Sequence, residues 1–229
     1  MKTVGIIGGL GPETTAEFYL AINFGCYEKN KINRPPVLIW NVPLRYQVEK
    51  DLLTKATGGE RYIPYLTNAA KRLEDGGADF IVMPCNSLHI FIDEIRKSVK
   101  IPVLSIVEET SSFLRKKGIK KVGILATSFL LKSKLYERSL RQKKIVQILP
   151  DDLNQAKIGR MISNLVMNRY DNRDRQQLLE IVNKFADKEI KDVILACTDL
   201  QLLLPHHNKL HIYDTMKIFA DATVDHILE

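Results

Sequence analysis

The sequence repeats one pattern in its two halves, and this repeat restricts the possible folds more than any other feature. Residues 4–8 read Val-Gly-Ile-Ile-Gly, and residues 122–126 read Val-Gly-Ile-Leu-Ala. In each half a later apolar run starts at an aspartate and ends at a cysteine, over residues 79–85 and 192–197. Such runs are typical of buried β-strands. The repeat therefore predicts two related domains, each with one strand that ends on a thiol.

Short runs rich in β-branched residues alternate along the chain with segments whose apolar residues have helical spacing. The predicted strands are 3–7, 37–40, 80–83, 103–106, 122–125, 145–149, 193–196 and 211–213. The predicted helices are 15–26, 62–75, 90–99, 105–117, 133–142, 155–168 and 173–186. This alternation is typical of α/β domains with parallel strands, whose ligands bind beyond the carboxyl ends of the strands.

We therefore expect an α/β fold of two pseudo-symmetric domains, each a parallel sheet flanked by helices. The active site is expected in the cleft between the domains. The boundary should fall near residues 102–105, and the last strand and helix, from His211 onward, are expected to return to the first domain. The predicted domains are thus 1–103 plus 208–229, and 104–207.

Composition narrows the functional classes. The 229 residues carry a net charge of +7, from 34 Lys and Arg against 27 Asp and Glu. The basic residues are scattered, and their short clusters lack interleaved aromatic residues and any motif that enters a nucleic-acid groove. The longest apolar stretches fall far short of the roughly 20 residues that a membrane span requires. We expect a cytoplasmic protein that binds neither nucleic acid nor a membrane.

The three cysteines are far apart in sequence and form no Cys-x-x-Cys pair. Neither a disulfide framework nor a metal site is indicated. Cys26 is expected to be an inert core residue, since cysteine is among the most buried residue types. Cys85 and Cys197 differ because small polar residues follow each of them and then an apolar segment that can begin a helix. A helix N-terminus at this position would bind a carboxylate and favour a neighbouring thiolate.

Two thiols in equivalent places of repeated domains could face one another across a cleft with a substrate between them. Two facing acid/base groups suit a reaction that removes a proton from one face of a carbon and delivers a proton to the other. That reaction is racemisation. One sulfur must start as thiolate and the other as thiol, and N–H groups directed at the substrate carboxylate would stabilise the carbanion intermediate.

Three segments resemble the aspartate/glutamate racemase family, specifically its aspartate racemase branch. They are Gly-Gly-Leu-Gly-Pro-Glu-Thr at 8–14, Pro-Cys-Asn-Ser-Leu-His at 84–89 and Ala-Cys-Thr-Asp-Leu at 196–200. The resemblance covers essentially the whole chain in order and spacing. It implies racemisation of an amino acid without a cofactor, a cleft between two pseudo-symmetric α/β domains, and a homodimer.

The resemblance also implies a role for individual residues. Cys85 and Cys197 would be the two acid/base groups. The expected substrate-binding residues, from both halves of the chain, are Leu10, Gly11, Arg45, Asn86, Ser87, Leu88, Thr127, Ser128, Thr198 and Asp199.

The chain departs from the family pattern at positions that concern the substrate. Members typically have Thr where this chain has Ser87, and Glu where it has Asp199. Aspartate-specific members commonly have an Arg in a Pro-Asp-Arg context, for which Arg45 is the nearest candidate, and often a Lys where this chain has Val166. A glutamate racemase of cell-wall synthesis would instead have an acidic residue followed by Ser-Gly at the end of the first strand.

Two other functions remain open at this level. The same thiols would serve a related isomerase or decarboxylase that acts on a dicarboxylate without an amino group. A small-molecule binding protein that catalyses no reaction could use the same cleft. The repeated placement of cysteine argues against this, because thiols without a function would not be expected at equivalent positions.

Overall fold

The chain forms two compact units, and in sequence the second is inserted into the first. The computed structural model describes residues 1–55, 57–204 and 206–229. The first unit comprises Met1–Glu109 and Met216–Glu229, and the second is the continuous segment Thr110–Thr215. Among the described helices, none is both long enough and apolar enough to cross a membrane.

The first unit is built on a parallel sheet. Its elements, including two 3-10 helices, are β1 (Val4–Gly8), α1 (Pro12–Asn30), β2 (Val37–Asn41), α2 (Tyr46–Lys55), a 3-10 helix (Gly59–Tyr62), α3 (Ile63–Asp75), β3 (Phe80–Val82), a 3-10 helix (Ser87–Phe91), α4 (Ile92–Ser98) and the start of α5 (Ile106–Lys116). The strand order is β2-β1-β3, and every residue of β1 is buried. Val103 adds a single parallel bridge to Ile81 on the outer side of β3.

The second unit has a parallel sheet of four strands in the order β5-β4-β6-β7. Its elements are β4 (Lys121–Leu125), α6 (Ser128–Ser133), α7 (Leu135–Gln142), β5 (Val146–Ile148), α8 (Asp152–Val166), α9 (Asn172–Asp187), β6 (Asp192–Leu195), a 3-10 helix (Leu200–Leu202) and β7 (His211–Asp214). The chain then returns to the first unit through α10 (Thr215–Leu228). Two parallel sheets flanked by helices confirm the predicted fold class.

The two units repeat the same topology down to the register of their strands. Gly5 of β1 pairs with Ile81, and Gly123 of β4 pairs with Val193. Cys85 follows Ile81 by four positions, and Cys197 follows Val193 by four positions. The two cysteines therefore lie at the same height relative to their central strands, beyond the carboxyl ends of β3 and β6.

The structure differs from the sequence expectations in several places, including a unit boundary after Glu109 instead of near residues 102–105 and an unexpected helix, α2. Strand β7 pairs with β6 of the second unit, so only α10, and not the strand, returns to the first unit. The expected strand 103–106 is reduced to the bridge at Val103, because α5 begins at Ile106. The expected helix 133–142 is two helices, since Lys134 between them has a left-handed conformation with φ of 56°.

The repeated glycines let a helix approach each central strand closely. A Cβ atom on Gly5 would lie 3.1 Å from the Cβ atom of Leu73 in α3 and 2.9 Å from that of Ala78 in the loop before β3. One on Gly123 would lie 3.0 Å from the ring of Phe185 in α9. Real side chains essentially never pack as closely as 2.9 Å, and 3.0 Å requires the neighbour to move. The repeat of Val-Gly-Ile thus has a packing reason in both units.

We predict that Gly123→Ala destabilises the protein by about 1 to 3 kcal/mol, because the added methyl group overpacks the contact with Phe185. Gly159→Ala is the matched control: it lies inside α8 of the same unit, and its nearest neighbour, the Ser128 Oγ atom, is 4.0 Å away. That substitution should stabilise the protein by up to about 1 kcal/mol. Urea unfolding of both variants would measure the difference, and equal effects would contradict the packing argument.

Candidate functional site

The residues expected at the site in the first unit all follow the carboxyl ends of strands. Leu10 and Gly11 come after β1, Arg45 after β2, and residues 85–88 after β3. Because these three strands are parallel and adjacent, their carboxyl ends share one edge of the sheet. The first unit therefore brings its expected site residues to a common edge.

Cys85 lies in a tight turn that follows β3 after Met83 and Pro84. Its backbone N–H donates to the Met83 carbonyl at 2.8 Å, which bends the chain away from the strand direction. The Cys85 side chain is partly exposed, whereas Asn86 and Leu88 are each 2% exposed. Ser87 is partly exposed and begins the short 3-10 helix.

His89 was not among the expected site residues, although it ends the motif at 84–89. Its side chain is completely buried, and its Nδ1 atom lies 2.8 Å from the Cys85 carbonyl oxygen. Its Nε2 atom accepts a hydrogen bond from the Ile106 N–H at 3.2 Å, so the ring proton is on Nδ1. Burial lowers the pKa of His89 to about 4, and the imidazole is therefore neutral near pH 7.

Tyr62 is a second residue that the sequence analysis missed. It ends the 3-10 helix Gly59–Tyr62 and is 3% exposed. Burial raises the pKa of its phenol, and the negative charges of Cys85 and Glu49 raise this pKa further. The hydroxyl therefore keeps its proton within electrostatic range of the Cys85 thiol.

Thr15 holds the loop that contains Leu10 and Gly11. Its hydroxyl donates to the Gly11 carbonyl at 2.9 Å and accepts from the Gly9 N–H at 3.0 Å. Gly9 has a φ of 81°, a left-handed conformation that favours glycine. The peptide bond between Leu10 and Gly11 is cis.

Arg45 is exposed at the start of the turn that leads into α2. Its carbonyl oxygen accepts hydrogen bonds from the backbone N–H groups of Val48, at 2.9 Å, and Glu49. The guanidinium is available to solvent near the carboxyl end of β2, which is an edge strand of its sheet.

In the second unit, Cys197 follows β6 after one alanine and is 7% exposed. Its thiol donates to the Asp199 Oδ2 atom, with a sulfur to oxygen distance of 3.6 Å. Asp199 is partly exposed, and Thr198 between them is 6% exposed. A carboxylate that accepts a hydrogen bond from a thiol favours the protonated sulfur.

Thr127 and Ser128 lie just beyond β4, the strand next to β6. The Thr127 Oγ1 atom caps α6 by accepting from the Leu130 N–H at 3.1 Å. The Gln155 Nε2 atom donates to the Ala126 carbonyl at 2.9 Å and lies 3.3 Å from the Ser128 Oγ atom. Gln155 thus joins α8 to the loop after β4, a contact that the sequence pattern did not reveal.

The expected helix N-termini after the two cysteines are much smaller than a full helix. The elements that follow are 3-10 helices of five and three residues, and neither Asn86 nor Asp199 makes a side-chain capping hydrogen bond. Such short elements sum few peptide dipoles, so the expected helix-dipole contribution is a poor explanation for anion binding here.

Among the described residues, no group of three His, Cys, Asp or Glu side chains is placed to hold a metal ion. Val166 is the last residue of α8 and is 37% exposed.

Comparison with known proteins identifies the family. Residues 7–223 match the model of the Asp/Glu/hydantoin racemase family. The chain belongs to this family. It is similar to the broad specificity amino-acid racemase RacX of Bacillus subtilis, with 28% identity and 96% of each chain covered.

Solved structures of aspartate racemases and homologues have the same fold. The crystal structure of an aspartate racemase homologue from Pyrococcus horikoshii gives a TM-score of 0.80 at 26% identity, with 100% of both chains covered. The Picrophilus torridus aspartate racemase gives a TM-score of 0.81 at 25% identity, with 99% of this chain and 94% of that chain covered. The resemblance to the aspartate racemase branch and the class of isomerase, an amino-acid racemase, are confirmed.

The burial of neutral His89 predicts a pH-dependent stability. His89 titrates near its ordinary pKa of 6.5 when unfolded and near 4 when folded. As the pH falls from about 6.5 to 4, His89 binds a proton in the unfolded state but not in the folded state, so the free energy of unfolding decreases. The loss from this group is up to about 3 kcal/mol. Urea unfolding between pH 7 and 4 should show a steeper fall for the wild type than for His89→Asn, and parallel curves would contradict this.

Proposed function

We propose that this chain is a cofactor-independent racemase of aspartate and/or glutamate in which Cys85 and Cys197 are the two opposed acid/base groups. The observation that supports this proposal most directly is the shared register: each cysteine follows by four positions the residue paired with the repeated strand glycine. Two thiols placed alike on related sheets suit a reaction that is itself symmetric between two enantiomers. We propose that the substrate lies between them.

In the proposed reaction, one sulfur is a thiolate and removes the α-proton from its face of the substrate. The electron pair of the broken C–H bond remains on the α-carbon and is delocalised into the adjacent carboxylate. The other sulfur is a thiol and donates its proton to the opposite face. The thiolate and thiol have then exchanged states, which is the arrangement required to convert the other enantiomer.

The two cysteines have different surroundings, and this difference suggests which sulfur is protonated before the substrate reacts. The Cys197 thiol donates to the Asp199 carboxylate, so we assign the thiol to Cys197 in the resting arrangement. Cys85 then starts as the thiolate, with the protonated phenol of Tyr62 in electrostatic range. In the reverse direction Cys197 starts as the thiolate, because it has given its proton to the substrate, and Cys85 starts as the thiol.

Substrate binding is proposed for the residues at the carboxyl ends of the strands. The backbone and side chains of residues 86–88 and 198–199 would hold the α-carboxylate, and the loop with Leu10 and Gly11 would cover it. Thr127 and Ser128 would line the second side. Arg45 is the proposed partner of a distal carboxylate, since it is exposed close to the end of β2.

The substrate range needs a direct test because RacX is named as a broad specificity racemase. The purified protein should be incubated in deuterium oxide with single L-amino acids, including aspartate, glutamate and neutral examples. We expect the α-proton signal of aspartate or glutamate to disappear as the D-enantiomer forms, in the presence of a chelator and of a carbonyl reagent. Loss of a carboxyl group, or binding without exchange, would instead favour a decarboxylase or a binding protein.

Cysteine variants then test the two-base mechanism. Cys85→Ser and Cys197→Ser should each abolish racemisation, because a serine hydroxyl is far too weak an acid to replace the thiol. Each variant should still exchange the α-proton of one enantiomer, and the two variants should differ in which one. Deuterium incorporation into separate L- and D-substrates measures this.

The third cysteine provides the matched control. Cys26 is buried in α1, and burial raises the pKa of its thiol, so it is a poor source of thiolate. Cys26→Ala should therefore leave racemisation within about twofold of the wild type, apart from any loss of stability. Racemisation that survives in either Cys85→Ser or Cys197→Ser would refute the two-thiol mechanism.

We also propose that the protein is a homodimer, as the resemblance implies, since closed two-fold dimers are the commonest homo-oligomers. Light scattering after size-exclusion chromatography should then give twice the chain mass of 26.2 kDa. A mass of one chain would contradict the dimer. The cytoplasmic location and the lack of nucleic-acid or membrane partners remain predictions.

A further inference from the structure

The carbonyl groups of the two cysteines are held by different donors. The Cys197 carbonyl accepts a hydrogen bond from the Leu200 backbone N–H at 3.1 Å, within its own turn. The Cys85 carbonyl lies 2.8 Å from the Nδ1 atom of the His89 side chain. The residue of the second unit that corresponds to His89, four positions after the cysteine, is Gln201.

His89 connects the Cys85 turn to a second element of the same unit. Its Nε2 atom accepts from the Ile106 N–H, the first residue of α5, and this leaves Nδ1 as the donor. The ring is completely buried and meets the ring of Phe219 edge-on, with centroids 6.2 Å apart. The imidazole therefore has one orientation and one tautomer.

We propose that His89 is a positioning residue for Cys85: its Nδ1–H fixes the Cys85 carbonyl, and through it the direction of the Cys85 sulfur. This inference rests on the proposed two-cysteine racemisation and adds a residue to it. His89 does not touch the substrate and transfers no proton. Its effect is confined to the half of the reaction that Cys85 performs, because the Cys197 turn is held by its own backbone.

Two substitutions separate positioning from a merely structural role. His89→Asn keeps an amide N–H group at the place of Nδ1 and loses the acceptor for Ile106. His89→Gln can keep an acceptor at the place of Nε2 and loses the donor to Cys85. If the Nδ1 contact matters for catalysis, Asn rescues the reaction and Gln does not.

The experiment measures racemisation and, separately, deuterium exchange into L- and D-substrate for both variants. A displaced catalytic group costs up to about 100-fold in rate. We expect His89→Gln to slow racemisation about 10- to 100-fold. Its exchange should slow by a similar factor on the enantiomer that Cys85→Ser no longer exchanges, and should be unchanged on the enantiomer served by Cys197. We expect the racemisation rate of His89→Asn to stay within about threefold of the wild-type rate, because its amide still holds the Cys85 carbonyl and the sulfur is displaced little.

The positioning role is overturned if His89→Gln loses the same exchange rate on both enantiomers, or if His89→Asn and His89→Gln have equal rates. In either case racemisation by the wild type would still support the proposed function. If the wild type exchanges no α-proton, the proposed function fails, and the positioning role fails with it. Nitrogen NMR of the wild-type protein tests the geometry without any variant. His89 should carry its proton on Nδ1 with Nε2 bare, and a proton on Nε2 would refute the inference even if His89→Gln does not fold.

Discussion

Close approach between a helix and a central strand is the constraint on which both halves of this protein depend. At Gly5 and Gly123 a side chain would be overpacked, because Leu73 of α3 in one unit and Phe185 of α9 in the other lie within 3.1 Å of the place that a Cβ atom would take. The same glycines pair with Ile81 and Val193, and this register places Cys85 and Cys197 at equivalent positions beyond the carboxyl ends of β3 and β6. Packing at the repeated glycines and the placement of the two cysteines thus both depend on the central strands β1 and β4.

The pseudo-symmetry of the backbone does not extend to the groups around the two thiols. Cys197 donates to a carboxylate two residues away, while Cys85 has a buried imidazole behind its carbonyl and a protonated phenol within electrostatic range. A racemase must treat two mirror-image substrates, yet a protein made of L-amino acids cannot present mirror-image surroundings. Racemisation is therefore compatible with different groups around the two cysteines on the same backbone topology.

Much of the fold could be predicted because its signals are local and repeated. The sequence predicts the alternation of strands and helices, the Val-Gly-Ile repeat and the cysteines after β3 and β6. The helix Tyr46–Lys55 was not predicted. The prediction for β7 named the wrong unit, because strand pairing depends on neighbours that are distant in sequence. His89 and Tyr62 were missed at the site for the same reason: a buried ring and a buried phenol acquire their partners only through tertiary packing.

The insertion of one unit into the other has a consequence for the order in which the protein is built. The second unit is continuous in sequence, so a ribosome can release it as a foldable segment before α10 exists. The first unit has no such independence, since Phe219 of α10 packs against both Phe18 and His89. We therefore expect that, during synthesis, the surroundings of His89 are completed only after the chain beyond the second unit has emerged, so that the Cys85 turn reaches its final packing after the second unit.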